Sequence, residues 1–316
     1  MVLKLLYAGV LSFVLTAIFG ALVLPLLRRW KFGQSIREEG PKSHLKKAGT
    51  PTVGGVFFIP AVTVAALVFF PSPKTVFLCM ISLLFGLIGL ADDALIIARG
   101  KNQGLTARQK LILQILVSSV MVIWALYGLG IDTLISLPFG ASFKLPLWIF
   151  IPLVIFMSVG MTNASNLTDG VDGLASSVML VATIFMSVLC YRLGLGEGAV
   201  FAIAVAGGCA GFLVYNAHPA KVFMGDTGSI YLGGTMTALS VLYGLEVFWL
   251  IAAVMMLWET LSVMLQVTSF KLTKKRIFKM SPFHHHLELC GWSEWKIVGT
   301  FALVTLIVCA LLLLTI

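Results

Sequence analysis

Residues 3–31 read LKLLYAGVLSFVLTAIFGALVLPLLRRWK. From Leu3 to Leu27 the run carries one charge, and it closes on Arg28, Arg29 and Lys31. At 1.5 Å of rise per residue, about 20 apolar residues cross a bilayer core. This run is long enough to do so and too long for a signal-peptide core of about 7–15 residues. It reads as a retained first span with a stop-transfer flank. Only helices and closed barrels satisfy their backbone in lipid, and uninterrupted apolar runs exclude the alternating strands of a barrel. The fold expected from this stretch is all-α.

The rest of the chain repeats the pattern. Of its 316 residues, 59% are hydrophobic and 11% charged, against about 25% charged in soluble domains, and the mean hydropathy is +1.03. Ten candidate spans begin near Leu3, Val53, Thr75, Ala107, Leu147, Val171, Ala199, Gly228, Val247 and Trp295. Of the 22 Lys and Arg residues, only Lys4, Lys74, Lys144 and Arg192 fall on one side of these spans. The crowded side is cytoplasmic by the positive-inside rule, so both termini are expected on the periplasmic or extracellular side. The formal charge of +9 is then mainly a topology signal, although it also suits an anionic substrate, and no nucleic-acid partner is expected. Residues 1–316 are expected to form one integral-membrane domain in the bacterial cytoplasmic membrane. Its active site is built from cytoplasmic loops and helix ends. The five cysteines show no paired spacing and read as small buried hydrophobes. Gly128–Pro146, on the outer side, suggests a short surface hairpin around Pro138-Phe139-Gly140.

The unusual polar clusters lie at the cytoplasmic ends. Asp92-Asp93 closes an apolar run, where two adjacent carboxylates need a cation, a proton or water; a divalent-metal or general-base site is expected. In Asn163-Ala-Ser-Asn166-Leu-Thr-Asp169-Gly170-Val-Asp172-Gly173, helical spacing places Asn166, Asp169 and Asp172 along one side. A polar turn between spans explains the glycines there but not the acids beside amides. The segment Asn216 to Ser229, which contains Lys221, Phe223, Gly225, Asp226 and Gly228, reads as a loop entering a helix. Its glycines permit a nest of N–H groups for phosphate. Asp226 is placed to hold a metal and Lys221 to face anionic oxygen, although an ordinary capped helix start looks similar. Lys46-Lys47-Ala48-Gly49-Thr50-Pro51-Thr52 joins cations to turn residues. His284-His285-His286 suits phosphate contact or proton transfer better than zinc. Glu259, Ser262, Gln266, Ser269 and Thr273 form a polar stripe that should face the bundle interior or a hydrated groove.

Together these segments resemble the polyprenyl-phosphate N-acetylhexosamine-1-phosphate transferase superfamily. The resemblance covers Lys47–Gly55, Asp92-Asp93, Asn166–Ala175, Asn216–Ser229 and Pro282–Glu288 with Gly291-Trp292. The triple histidine and its Gly-Trp tail point to the muramoyl-pentapeptide branch. The resemblance implies Mg²⁺ and frequently a homodimer. It implies transfer of phospho-MurNAc-pentapeptide from UDP-MurNAc-pentapeptide to undecaprenyl phosphate, a membrane lipid, giving lipid I and UMP for peptidoglycan synthesis. By motif match Asp226 is a metal ligand, and Asp92 and Asp93 handle the lipid phosphate or its proton. Asn166, Asp169, Asn216, Phe223 and Gln266 lie beside the nucleotide, with Asp172 in the same substrate-binding motif. Lys47, Thr52, His284, His285 and His286 form the polar rim, with His285 grouped among the catalytic residues. The family commonly has a lysine three residues after the second aspartate, where this chain has Ile96; Arg99 and Lys101 are the nearest cations. Asp92 is open to two roles, nucleophile or base, and direct attack by the lipid phosphate with Asp92 as base is favoured. Two rivals stand beside this reading: a sister transferase using UDP-GlcNAc, and an ion-coupled transporter, whose site would lie near the midplane.

Overall fold

The computed structural model describes residues 1–29, 49–99 and 103–316. Helix α1 (Val2–Arg29) is followed by α2 (Gly55–Phe69), α3 (Pro73–Arg99) and α4 (Ala107–Ile123), the last continuing as a π-helical turn to Gly128. A hairpin of β1 (Leu134–Ser136) and β2 (Ser142–Lys144) comes next, antiparallel, with Ile135 opposite Phe143. The hairpin lies where the sequence suggests one, turning through Pro138–Gly140. Then follow α5 (Leu147–Thr168), α6 (Leu174–Arg192), α7 (Gly196–Asn216), α8 (Gly225–Tyr243), α9 (Glu246–Ala252), α10 (Val254–Thr273), α11 (Phe283–Leu289) and α12 (Glu294–Leu313).

A helix begins within three residues of each of the ten expected starts. Among the described residues, seven helices are long and apolar enough to cross a membrane: α1, α3, α4 with its π-turn, α5, α6, α7 and α12. The ninth candidate is broken at Ala253, where α9 and α10 meet at 73°; counted as one span, the pair makes eight. Helix α2 is apolar but has only 15 residues. Helix α8 lacks the hydropathy of a lone span because it is not solvated by lipid: every residue from Thr227 to Leu242 is buried in protein.

Helix α8 is the axis of the bundle, packed mainly on α3 and α5, while α1 lies along α7. In α1 the buried residues Ala8, Ser12, Thr16, Gly20 and Leu24 recur every four residues. That small-residue face lets the backbones of α1 and α7 approach closely. Several hydroxyls inside the bundle bond back to carbonyls one turn earlier, as Thr162 does to Ser158 and Thr235 to Tyr231, which satisfies them without water; Ser12, Thr16 and Ser165 are buried with no such bond. The outer faces carry exposed large hydrophobics such as Leu22, Ile112 and Leu306, which suits a lipid solvent.

Candidate active site

Because consecutive helices run in alternating directions, the C-terminal ends of α3, α5, α7 and α10 lie on one side with the N-terminal ends of α4, α6, α8 and α12. The polar motifs sit at these ends.

Asp92 and Asp93 are both buried at the end of α3. Asp93 caps α8: its Oδ1 accepts from the Asp226 N–H (3.1 Å), and its Oδ2 accepts from the N–H (2.9 Å) and hydroxyl (2.6 Å) of Thr227. A carboxylate over orphan N–H groups and a positive helix end is a favourable cap. This differs from the expected phosphate nest, since two first-turn N–H groups of α8 are already occupied by a side chain. Gly225, at φ +71°, enters the helix in a left-handed conformation, and a Cβ there would lie 2.5 Å from Asp93 Oδ2. Gly89 allows the crossing of α3 and α8, because a Cβ at Gly89 would overlap the Asp226 carbonyl.

Asp226, thus aimed, meets two partners. Its Oδ1 accepts from Asn166 Nδ2 at 2.7 Å, and its Oδ2 is ion-paired to Lys110. Asn166 also donates to Ser229 Oγ at 2.9 Å. Lys110 lies 3.4 Å from Asp92 Oδ2, while Asp92 Oδ1 accepts from the Leu105 N–H at 2.8 Å. Lys110 is the residue that sequence reasoning passes over, treating it only as a topology charge. Its signal was a cation in the first turn of a helix, against the dipole. Arg99, one of two cations expected to serve for Ile96, instead donates to the carbonyls of Gln103 and Gly104. The other, Lys101, and the rim residue Lys47 lie outside the described residues.

The expected alignment of Asn166, Asp169 and Asp172 on one helix side does not form. Helix α5 ends at Thr168 with Asp169 as its cap, and the chain turns through Gly173, at φ +76°, into α6. Asp172 joins a second group: its Oδ2 is 2.9 Å from His218 Nδ1 and accepts from the Ala220 N–H at 3.0 Å. Glu294 Oε1 is 3.3 Å from the same His218 nitrogen. Asp169 is partly buried between the two groups. Burial, then the charges of Asp226, Asp93 and Asp172, hold its carboxyl well above the usual carboxylate range.

Several residues expected beside a nucleotide act as braces. Asn216 is buried; its Oδ1 accepts from the Gly173 N–H and Ser176 Oγ, and its Nδ2 donates to the Val222 carbonyl. Gln266 accepts from the N–H groups of Ile277 and Phe278 and donates to the Phe278 carbonyl. Phe223 joins the 51–55 strand-like stretch through backbone bonds to Pro51 and Gly54, and buried Thr52 lies against Gly225. Of the polar stripe on α10, Glu259, Ser262 and Gln266 are buried, Ser269 is half-buried and Thr273 is exposed. The histidines divide. His284 is fully buried, 3.2 Å from Glu259 Oε2 without hydrogen-bond geometry, and packed on Gly170. His285 pairs with Glu288 at 2.7 Å, and His286 accepts from the Lys279 N–H at 3.1 Å. Lys221, expected to face anionic oxygen, is exposed.

Among the described residues, two groups have the donors to hold a metal ion: Asp92, Asp93 and Asp226, and Asp172, His218 and Glu294. The first is an all-oxygen set, the kind hard divalent cations prefer. Asp93 is committed to capping α8, so Asp226 and Asp92 are the ligands free to turn to an ion, and a cation already faces both of them in Lys110. That fits Mg²⁺ bound by one or two carboxylates together with substrate phosphates.

A family model described as glycosyl transferase family 4 matches residues 75–244, from α3 through α8. A protein of Shouchella clausii named phospho-N-acetylmuramoyl-pentapeptide-transferase is 46% identical over 309 residues, covering 96% of this chain and 94% of its own. Proteins of the same name from Clostridium perfringens and Bacillus licheniformis are 46% and 48% identical, over 97% and 94% of this chain and 96% and 93% of theirs. The chain therefore belongs to the phospho-N-acetylmuramoyl-pentapeptide-transferase family.

Proposed function

We propose that this chain transfers phospho-MurNAc-pentapeptide from UDP-MurNAc-pentapeptide to undecaprenyl phosphate on the cytoplasmic face of a bacterial membrane. The products are lipid I and UMP. The observation that carries this reading is the meeting of Asp92, Lys110, Asn166 and Asp226, from four helices, at one end of an apolar bundle. Such a site is open both to a soluble nucleotide-sugar and to a lipid headgroup.

An oxygen of the lipid phosphate attacks the sugar-linked phosphorus of the donor; the new P–O bond forms as the bond to UMP breaks. Acceptor and donor are both anions, so their approach needs positive charge. Lys110 supplies one such charge from α4. Mg²⁺ held by Asp226, with Asp92 beside it, would neutralise phosphate charge when bound. Asp92 accepts the proton of the attacking phosphate when that phosphate is singly protonated. Asn166 orients Asp226, and Asp93 holds the first turn of α8 that carries it. Asp169, Asp172 and the histidine segment border the donor.

The test is UMP release by detergent-purified protein given both substrates, with and without Mg²⁺, and with UDP-GlcNAc replacing the donor. Release that needs UDP-MurNAc-pentapeptide, undecaprenyl phosphate and Mg²⁺ together is expected. Equal turnover of UDP-GlcNAc would favour the sister transferase, and a phosphosugar adduct on Asp92 without lipid would overturn direct attack. The family resemblance also implies a homodimer, which cross-linking in native membranes would reveal.

A further inference from the structure

Beneath the acids a second polar contact joins α4 to α5. Lys110 stands in the first turn of α4, and Gln114 follows on the same face one turn, about 6 Å, deeper in the bundle. Asn163 lies likewise one turn below Asn166 on α5. Gln114 Oε1 accepts from Asn163 Nδ2 at 3.0 Å. Two rungs therefore cross the α4–α5 seam, with Lys110, Asp226 and Asn166 above and Gln114 and Asn163 below. Among the described residues the lower rung is the one side-chain hydrogen bond made directly between these two helices.

Helix α4 is otherwise thinly held: of its 17 residues only Gln114, Ser118, Met121 and Val122 are buried. The upper rung cannot by itself keep the seam in register through turnover, which calls Lys110 to a substrate phosphate. Stability alone does not call for a glutamine at the lower one. Gln114 Nε2 is buried without a partner, a cost that a leucine of similar size would avoid. Asn163 Nδ2 would stay satisfied beside such a leucine, because it also donates to the Val159 carbonyl at 2.7 Å. We propose that Gln114 is a positioning residue for the transfer reaction: bonded to Asn163, it fixes the register of α4 that presents Lys110 to Asp226, Asp92 and the phosphate. The proposal rests on the transferase reading above, which makes Lys110 the cation that the reacting anions meet.

The experiment measures UMP release by the full-length enzyme carrying Gln114→Leu, in the parent and in a Lys110→Met background. In the parent, Gln114→Leu should lower kcat about tenfold, less than the roughly 10²-fold that a misplacement of about 1 Å can cost. KM for the donor should hold, and Tm should stay near the parent's. With Lys110 already gone nothing is left to position, so in the Lys110→Met background the same change should cost no more than about twofold. Spin labels at Ile112→Cys on α4 and Leu303→Cys on α12, both exposed positions, with Cys290→Ser, should report a shifted or broadened distance in Gln114→Leu. Gln114→Asn, which shortens the rung, should also lower kcat, and adding Asn163→Gln should recover it. Parental kcat in Gln114→Leu, an equal loss in both backgrounds or an unmoved α4 overturns the proposal. Where the leucine variant does not insert, failure of the exchanged pair to recover does so. A parent enzyme inactive with both substrates would instead remove the transferase reading, and this inference with it.

Discussion

Lys110 is the cation around which the acids are arranged, contacting Asp226 and lying 3.4 Å from Asp92. Without it, carboxylates within 4.8 Å of one another would repel in a partly desolvated site. Lys110→Met is expected to lower kcat by roughly 10²–10³, the scale of losing one preorganised electrostatic contact, measured as UMP release. Asp226 and Asp93 should separate by their roles. Asp226→Ala is expected to abolish turnover while the protein still inserts and melts near the parent temperature. Asp93→Ala should also lower Tm, because it strips the cap from α8, a loss of about 1–3 kcal/mol. Equal Tm values for the two variants would contradict the capping role. Asp169 offers a pH test. Its raised pKa means that the folded chain binds its proton more readily than the unfolded chain does. The stability it contributes is present below the ordinary carboxylate value of about 4 and is lost as pH rises through the raised value. Asp169→Asn should remove that loss, so its Tm should fall less than the parent's as pH is raised; parallel profiles would exclude Asp169 as the group responsible.

Among the elements, the crossing of α3 on α8 sets the site, and Gly89 sets the crossing. A methyl group there would meet the backbone of Asp226 rather than a side chain that could turn away. Gly89→Ala is expected to destabilise by about 1–3 kcal/mol through overpacking and to lose activity by displacing Asp226. Gly160→Ala in α5 is the matched comparison. A Cβ at Gly160 meets nothing within 4 Å, so the variant should be neutral or gain up to about 1 kcal/mol of helix stability. Thermal melts of both in one detergent decide the matter; similar shifts would show that the crossing tolerates a side chain. The broken pair α9 and α10 was legible only as an uncertain ninth span, because hydropathy records apolar length and not a 73° bend.

At the scale of the molecule, alternating helices gather the polar ends on the side that carries most of the Lys and Arg. Cys290 is exposed at that end, just before α12, whereas Cys79, Cys190, Cys209 and Cys309 are buried. A membrane-impermeant maleimide should therefore label Cys290 in inverted vesicles and leave it unlabelled in right-side-out vesicles. The opposite pattern would reverse the proposed orientation.

The sequence by itself determined that the chain is an all-α bundle, roughly where ten of its helices start, where a hairpin interrupts the series, and to which superfamily the motifs belong. These follow from hydropathy, turn chemistry and motif spacing, all of which act over short stretches of chain. Tertiary structure alone decided which polar groups meet. Lys110 and Asp226 are 116 residues apart, and Asp93 reaches the α8 N–H groups across 133 and 134. Asp172, only six residues from Asn166, leaves for His218 and Glu294 because α5 ends at Thr168, between them. Asn216 and Gln266, expected beside the nucleotide, also brace loops through both the donor and the acceptor of their amides. Partners of that kind are set by how helices cross, and no local pattern along the chain records the crossing.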